Sequence, residues 1–397
     1  MKKTISLYLH IPFCATRCGY CDFLTFANAA HLHEPYKNAL LREIQSAHHL
    51  HNYRISTIFI GGGTPTTLAP AFLGEILQAL AAYDLTSDCE ITVEANPGTL
   101  DLPTLRALKS NGVNRLSMGL QAWQNKLLKR IERSHTQQTF LQNYNHARRV
   151  GFNNINIDMI FSLPSPIRQT ADGFLEETLR PDQAFAQWGQ GLQAVTDLQP
   201  EHLSLYSLIL EENTRFYQQY EQGLLSLQSQ ELDRRMYHFG INYLAKKGYT
   251  HYEISNFAKA RKECKHNMVY WQGGEYMAFG LGAAGYVNSE RYSNQRDLDT
   301  YIRTATTVGY THGQLIAHAE TLDRTEHMGE FFYLGLRCIA GVNLSEFEKK
   351  FGVYPTDVFG DAIADNIAKG LLVQTGDNLR LSKQGLDISN QVFADFV

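Results

Sequence analysis

Short apolar or β-branched runs recur along the first half of the chain at residues 5–9, 55–60, 90–93, 113–118, 155–160 and 202–208. Each has the length of a buried strand. Between them, apolar residues fall at helical spacing over 34–50, 71–82, 102–110, 139–150 and 174–198. Six strands alternating with helices predict parallel βα units, arranged as a partial or complete barrel or as an open doubly wound sheet. The run Gly61-Gly62-Gly63-Thr64-Pro65 directly follows the second strand, and Asn96-Pro97-Gly98 follows the third. Special backbone therefore gathers at the carboxyl ends of strands, where sites of both architectures lie.

Beyond about residue 215 the pattern changes. A polar helix is expected over 226–247, a strand over 252–257, and a Gly- and aromatic-rich layer covering the barrel over 271–286. From residue 321 come helical segments and then a short hairpin turning at Gly376, Asp377 and Asn378, the outline of a small winged-helix-like domain. The expected division is 1–215 for the barrel, 216–320 for a connecting region and 321–397 for the C-terminal domain. Winged helices often bind nucleic acid, but this one carries no dense basic run and reads as a structural or partner-binding appendage.

Composition narrows the class. Of 397 residues, 44% are hydrophobic and 19% charged, enough to build full cores without disulfide support. Lys+Arg 36 against Asp+Glu 40 leaves a formal charge of -4, which excludes the diffuse basic field of a general nucleic-acid binder. The opening apolar run is broken by His10 and Pro12, and no stretch reaches the roughly 18 apolar residues of a membrane span. A cytoplasmic protein without an integral membrane segment is expected. Its cysteines are then not disulfides.

Three of the six cysteines, Cys14, Cys18 and Cys21, crowd into one loop after the first strand with the spacing C-x3-C-x2-C, while Cys89, Cys264 and Cys338 are scattered. Structural zinc sites take four ligands, commonly on paired C-x2-C arms, and no second arm is near. Three cysteines on a [4Fe-4S] cluster leave one iron open to a small molecule. Zinc, or three cysteines by accident, remain the weaker readings of the spacing.

This triplet resembles the radical S-adenosylmethionine (SAM) superfamily, and the likeness runs through nearly the whole chain. The segments around His10–Cys14, Gly61–Pro65, Glu94–Pro97, Gly119–Gln121, Arg133–His135 and Asn156–Asp158 are similar, in order, to motifs of the oxygen-independent coproporphyrinogen oxidase branch. The resemblance implies a partial (β/α)6 TIM-like barrel and a [4Fe-4S] cluster on Cys14, Cys18 and Cys21. It also implies a SAM site at Tyr8, Gly62, Gly63, Thr64, Glu94, Gln121, Arg133 and Asp158. Glycines let backbone approach a ligand, and an unpaired Asp158 in an apolar strand would be costly without a polar partner.

Within the branch, oxidases continue to a fourth cysteine and carry a long preceding segment. Here Asp22-Phe23 follows Cys21, and 13 residues precede Cys14. Both features resemble the HemW-type haem chaperones, as does Lys265-His266-Asn267-Met268-Val269-Tyr270-Trp271 with its HNxxYW pattern. That likeness implies haem as cargo and His266 as an axial ligand, with Cys264 as a lesser candidate. Implied partners are haem-accepting apoproteins and a flavodoxin- or ferredoxin-like electron donor; a homodimer is a further possibility. The rival functions are radical decarboxylation of coproporphyrinogen propionates and radical haem modification, and whether the chain is an enzyme stays open. Two positions depart from the relatives: Ala284 where histidine is common, and Ser162 where glycine is usual.

Overall fold

The computed structural model describes residues 2–169, 175–177 and 180–397. Six strands, β1 (Lys3–Ile11), β2 (Tyr53–Gly62), β3 (Leu85–Ala95), β4 (Arg115–Gln121), β5 (Ile155–Phe161) and β6 (His202–Ser207), pair in chain order and in parallel. Helices α1 (His33–Ser46), α2 (Pro70–Ala81), α3 (Leu102–Ser110), α4 (Gln137–Val150) and α5 (Pro181–Asp197) make the crossovers. Strands such as β4 are buried nearly end to end because helices cover one face and the barrel interior the other, which is why they read as continuous apolar runs. Capping sets the helix limits: Asp101 accepts from the Thr104 amide at 2.8 Å to start α3, and Gly151, at φ +97°, ends α4. The expected helix over 174–198 begins at Pro181; Phe174 lies outside the described residues.

The barrel stays open, as the partial architecture requires. After α6 (Gln230–Lys246), a hairpin of β7 (Thr250–Glu253) and β8 (Asn256–Ala258) pairs antiparallel with β6 and extends the sheet. The single strand expected over 252–257 is thus two, reversing at Ile254-Ser255. The HNxxYW segment forms a short helix, α7 (Lys265–Trp271). Beyond β1, strand β9 (Tyr276–Phe279) pairs in parallel, followed by antiparallel β10 (Ala284–Val287), β11 (Glu290–Asn294) and β12 (Ile316–Thr321), with helix α8 (Leu298–Thr306) between the last two. The segment expected as a covering layer therefore continues the barrel sheet, which has twelve strands among the described residues.

Among the described residues the buried apolar side chains form two clusters, one running from Ile5 to Leu315 and one from Met328 to Phe396. The second holds together α9 (Arg324–Gly335), α10 (Leu344–Phe351), α11 (Pro355–Ala368) and the hairpin of β13 (Leu372–Thr375) and β14 (Asn378–Leu381). Phe332 stacks on Phe396 at its centre, with ring centroids 4.6 Å apart. Among the described residues no helix is long and apolar enough to cross a membrane.

Candidate functional site

The three clustered cysteines lie in the loop between β1 and α1, at the carboxyl end of the barrel strands. Backbone pairing holds the start of that loop: the Gly63 amide donates to Ile11 O at 2.8 Å and the Thr64 amide to Phe13 O at 2.7 Å. The triple glycine makes this approach feasible. A Cβ on Gly63 would stand 2.6 Å from Phe13 O, and one on Gly61 would stand 2.6 Å from Glu94 Oε2. Gly62 adopts φ +105°, with the His10 ring where a side chain would go. These glycines join the cysteine loop to the strand that carries Glu94.

Cys14, Cys18 and Cys21 line one cavity of about 420 Å³, whose walls include Gly62, Gly63, Glu94, Gln121, Arg133 and Asp158. That volume is in the range of small-molecule sites, about 300–1,000 Å³. Cys14 Sγ lies 3.4 Å from Thr64 Oγ1. Arg133 donates to Gly119 O at 2.6 Å, to Cys18 Sγ at 3.5 Å and to Asn96 Oδ1. Among the described residues no three His, Cys, Asp or Glu side chains meet closely enough to hold a metal ion as they stand. The thiols instead border a shared space, the arrangement needed by a cluster in which each cysteine takes a different iron. Burial pushes the Cys14 thiol up and the Cys21 thiol to about 11, so both carry protons at neutral pH when no metal is bound.

The opposite wall is acidic. Glu94 accepts from the Gly62 amide at 3.1 Å, while Asp158 accepts from Asn156 at 2.8 Å and Ser117 at 3.4 Å. Burial, and then the neighbouring Asp158 charge, raises Glu94 to about 7; burial also raises Asp158. Gln121 Oε1 and Arg133 Nε are buried without hydrogen-bond partners. Two carboxylates and an orphaned acceptor call for a ligand rich in donors or positive charge, and Arg133 offers a site for a carboxylate. The amino, ribose and carboxylate groups of SAM fit this donor and acceptor set.

The remaining expected site residues take other positions. Tyr8 Oη is 3.0 Å from His10 Nδ1, and its ring stacks on Phe59, a residue of the cavity wall. Thr64 is buried, and Asn96 donates to its hydroxyl at 2.6 Å. His266 is 1% exposed and lies outside the cysteine cavity. Its Nδ1 is 2.7 Å from Thr57 Oγ1 and its Nε2 is 2.8 Å from Tyr270 Oη, so both ring nitrogens are engaged as the helix stands. Burial, with the Arg115 charge as a lesser cause, brings His266 down to about 3 and keeps it neutral. Cys264 is buried too, its thiol donating to Glu90 Oε1 at 3.6 Å.

Sequence reasoning missed Arg115 and gave Asn96 no role at the site. Arg115 is 2% exposed, lines the same cavity as Asp158 and leaves Nε without a partner. A cation inside the apolar run 113–118 was its signal. Of the two departures, Ser162 sits at φ +58°, the left-handed region that explains the usual glycine, and Ala284 is exposed on β10.

Comparison with known proteins bears on the family and the fold. Residues 8–175 match the Radical SAM superfamily and residues 322–388 the HemN C-terminal domain. The heme chaperone HemW of Lactococcus lactis subsp. lactis is 35% identical, covering 100% of this chain and 98% of its own. That of Bacillus subtilis is 35% identical over 99% of each, and that of Escherichia coli 31% identical over 99% of this chain and 98% of its own. Among solved structures, the coproporphyrinogen III oxidase HemN of Escherichia coli superposes with a TM-score of 0.82 at 23% identity, covering 100% of this chain and 90% of that one, a likeness of fold. With barrel, cysteine loop and C-terminal domain all matched along its length, the chain belongs to the HemW branch of the radical SAM superfamily.

Proposed function

We propose that this protein binds haem and hands it to acceptor apoproteins, with a [4Fe-4S] cluster and SAM as bound cofactors. Membership of the radical SAM superfamily implies the cluster and SAM. Cys14, Cys18 and Cys21 would hold the cluster. Gly62, Gly63, Glu94, Gln121, Arg133 and Asp158 would surround SAM, with Tyr8 and Thr64 positioning their neighbours. Held by these cysteines, a cluster would supply low-potential one-electron chemistry beside SAM; a flavodoxin- or ferredoxin-like protein is the reductant we propose.

The observation that carries the reading is the shared cavity: thiols on one side, acidic and orphaned polar groups on the other, in a chain whose full-length relatives are named heme chaperones. At the position of the oxidases' fourth cysteine stands Phe23, 58% exposed at the cavity rim. The likeness to the oxidase is one of fold and supplies no separate argument for decarboxylation.

The test loads the cluster-reconstituted protein with haem under anaerobic conditions and mixes it with a haem-free b-type cytochrome. Appearance of the cytochrome spectrum, with matching loss from the donor, supports the proposal. Retention of haem by the donor, or conversion of coproporphyrinogen III to protoporphyrinogen with SAM and reductant, overturns it.

A further inference from the structure

Arg115 stands at the start of β4, across from Thr92 of β3, and Ser117 and Gly119 beyond it pair with Glu94 of β3 and Asp158 of β5. Alternate residues of a strand share a face, so this register turns Arg115, Glu94 and Asp158 toward one barrel interior, and all three line the cysteine cavity. The guanidinium is 2% exposed there, its Nε has no partner, and among the described residues it forms no ion pair. A buried cation without a partner is costly, and the residues assigned to SAM leave this one without a task.

Its surroundings supply one. Glu94 and Asp158 are two buried carboxyl groups in one cavity, a setting that favours the protonated acid. The hydrogen bonds they accept from Gly62, Asn156 and Ser117 come from neutral groups. The titratable groups that share an electrostatic interaction with Glu94 come from several elements: Tyr8 on β1, Cys14 in the loop, Arg115 on β4, Asp158 on β5, Tyr206 on β6 and Tyr270 on α7. Of these Arg115 alone is a cation, and its charge favours the ionised form of both Glu94 and Asp158. The cavity's other guanidinium, Arg133, serves the thiol wall, where it donates to Cys18 and its charge acts on Cys14 and Tyr20. Burial opposes the charge on Arg115 as well, but the acidic groups Cys264, Glu90, Tyr252 and Asp158 outweigh it, and Arg115 stays charged. Burial first, and then the Arg115 charge, keeps His202 and His266 neutral, so neither imidazole competes for the role.

We propose that Arg115 is a positioning residue of the SAM site, its guanidinium holding Glu94 and Asp158 as carboxylates that accept from the ammonium and hydroxyl groups of the ligand. The inference rests on the SAM-binding reading above. A protonated acid presents a donor where SAM also brings donors. Without the cation the acidic wall would bind SAM more weakly at neutral pH and recover as the pH rises.

The experiment is isothermal titration calorimetry of SAM into the cluster-reconstituted full chain, without reductant, from about pH 6 to about pH 9, comparing wild type with Arg115→Gln and Arg115→Lys. Far-UV circular dichroism verifies that each variant is folded, and the titration of SAM itself is common to all. In Arg115→Gln the rise of affinity with pH is expected to move up by about one unit, weakening binding about tenfold near neutral pH and leaving it close to wild type at the alkaline end. Arg115→Lys, which keeps the charge, should keep the wild-type midpoint. An unshifted profile in Arg115→Gln, a uniform loss at every pH, or a Lys variant that behaves like the Gln variant would overturn the proposal. If Arg115→Gln does not fold, the double variant Arg115→Gln/Asp158→Asn is compared with Asp158→Asn: a higher midpoint in the double variant supports the role, and equal midpoints overturn it. A wild type that does not bind SAM would instead overturn the SAM-binding reading itself.

Discussion

The Gly62 amide donates to the Glu94 carboxylate at 3.1 Å, tying the glycine turn after β2 to the acidic wall built by β3. Because burial raises Glu94 to about 7, its charge is incomplete at neutral pH. A ligand that donates to this carboxylate, or brings positive charge to it, is held better by the ionised form. SAM affinity should therefore rise as pH climbs from about 6 to 8, with proton release on binding. Glu94→Gln should weaken binding at least tenfold and flatten that dependence in isothermal titration calorimetry. A Gln variant with the wild-type profile would remove Glu94 from the site.

Replacing Cys14, Cys18 and Cys21 together with Ala or Ser should abolish the cluster's visible absorbance and bring bound iron and sulfide to background. These side chains are only half-buried at the cavity, so far-UV circular dichroism should stay close to the wild type. Stoichiometric iron and sulfide in the triple variant would refute the cluster assignment.

Gly63→Ala tests whether the glycine run is structural. The new Cβ would meet backbone oxygens of Phe13 and Ile11 at 2.6 and 2.9 Å, neither the end of a flexible side chain. A loss of at least about 2 kcal/mol is expected in denaturant unfolding, with weaker cluster retention as the cysteine loop moves. Gly223→Ala, which meets nothing within 4 Å but sits at φ +68°, separates backbone strain from collision and should cost less.

Glu43 offers a pH test away from the cavity. It is buried, accepts from Tyr301 at 2.6 Å, Gly280 at 2.8 Å and Asn294 at 2.7 Å, and burial lifts it to about 7. The native state therefore holds a proton that the unfolded state releases near pH 4.5. Unfolding free energy should fall as pH rises between about 4.5 and 7, by on the order of 3 kcal/mol from this group. In Glu43→Gln that contribution to the slope should vanish, whatever the variant's absolute stability. An unchanged slope would refute the raised value.

The six parallel strands were legible because each carries a central run of buried apolar residues, and the cysteine loop because its spacing is local. The reversal at Ile254-Ser255 was hidden: it contains neither glycine nor proline, so 252–257 resembled one strand. Arg115 was missed because the charges that act on it, Glu90 and Asp158 among them, come from other strands, and only the folded sheet brings them to one cavity. His266 illustrates another limit. The HNxxYW likeness nominated it as a ligand, but its enclosure between Thr57 and Tyr270 depends on a strand far back along the chain, which local spacing does not show.

The most direct test of the central claim is a haem titration of the wild-type, cluster-reconstituted protein under anaerobic conditions, followed by Soret absorbance. The account predicts saturation at one haem per chain, with iron, sulfide and SAM binding retained. A linear, non-saturating rise while the cluster and SAM remain bound would contradict it.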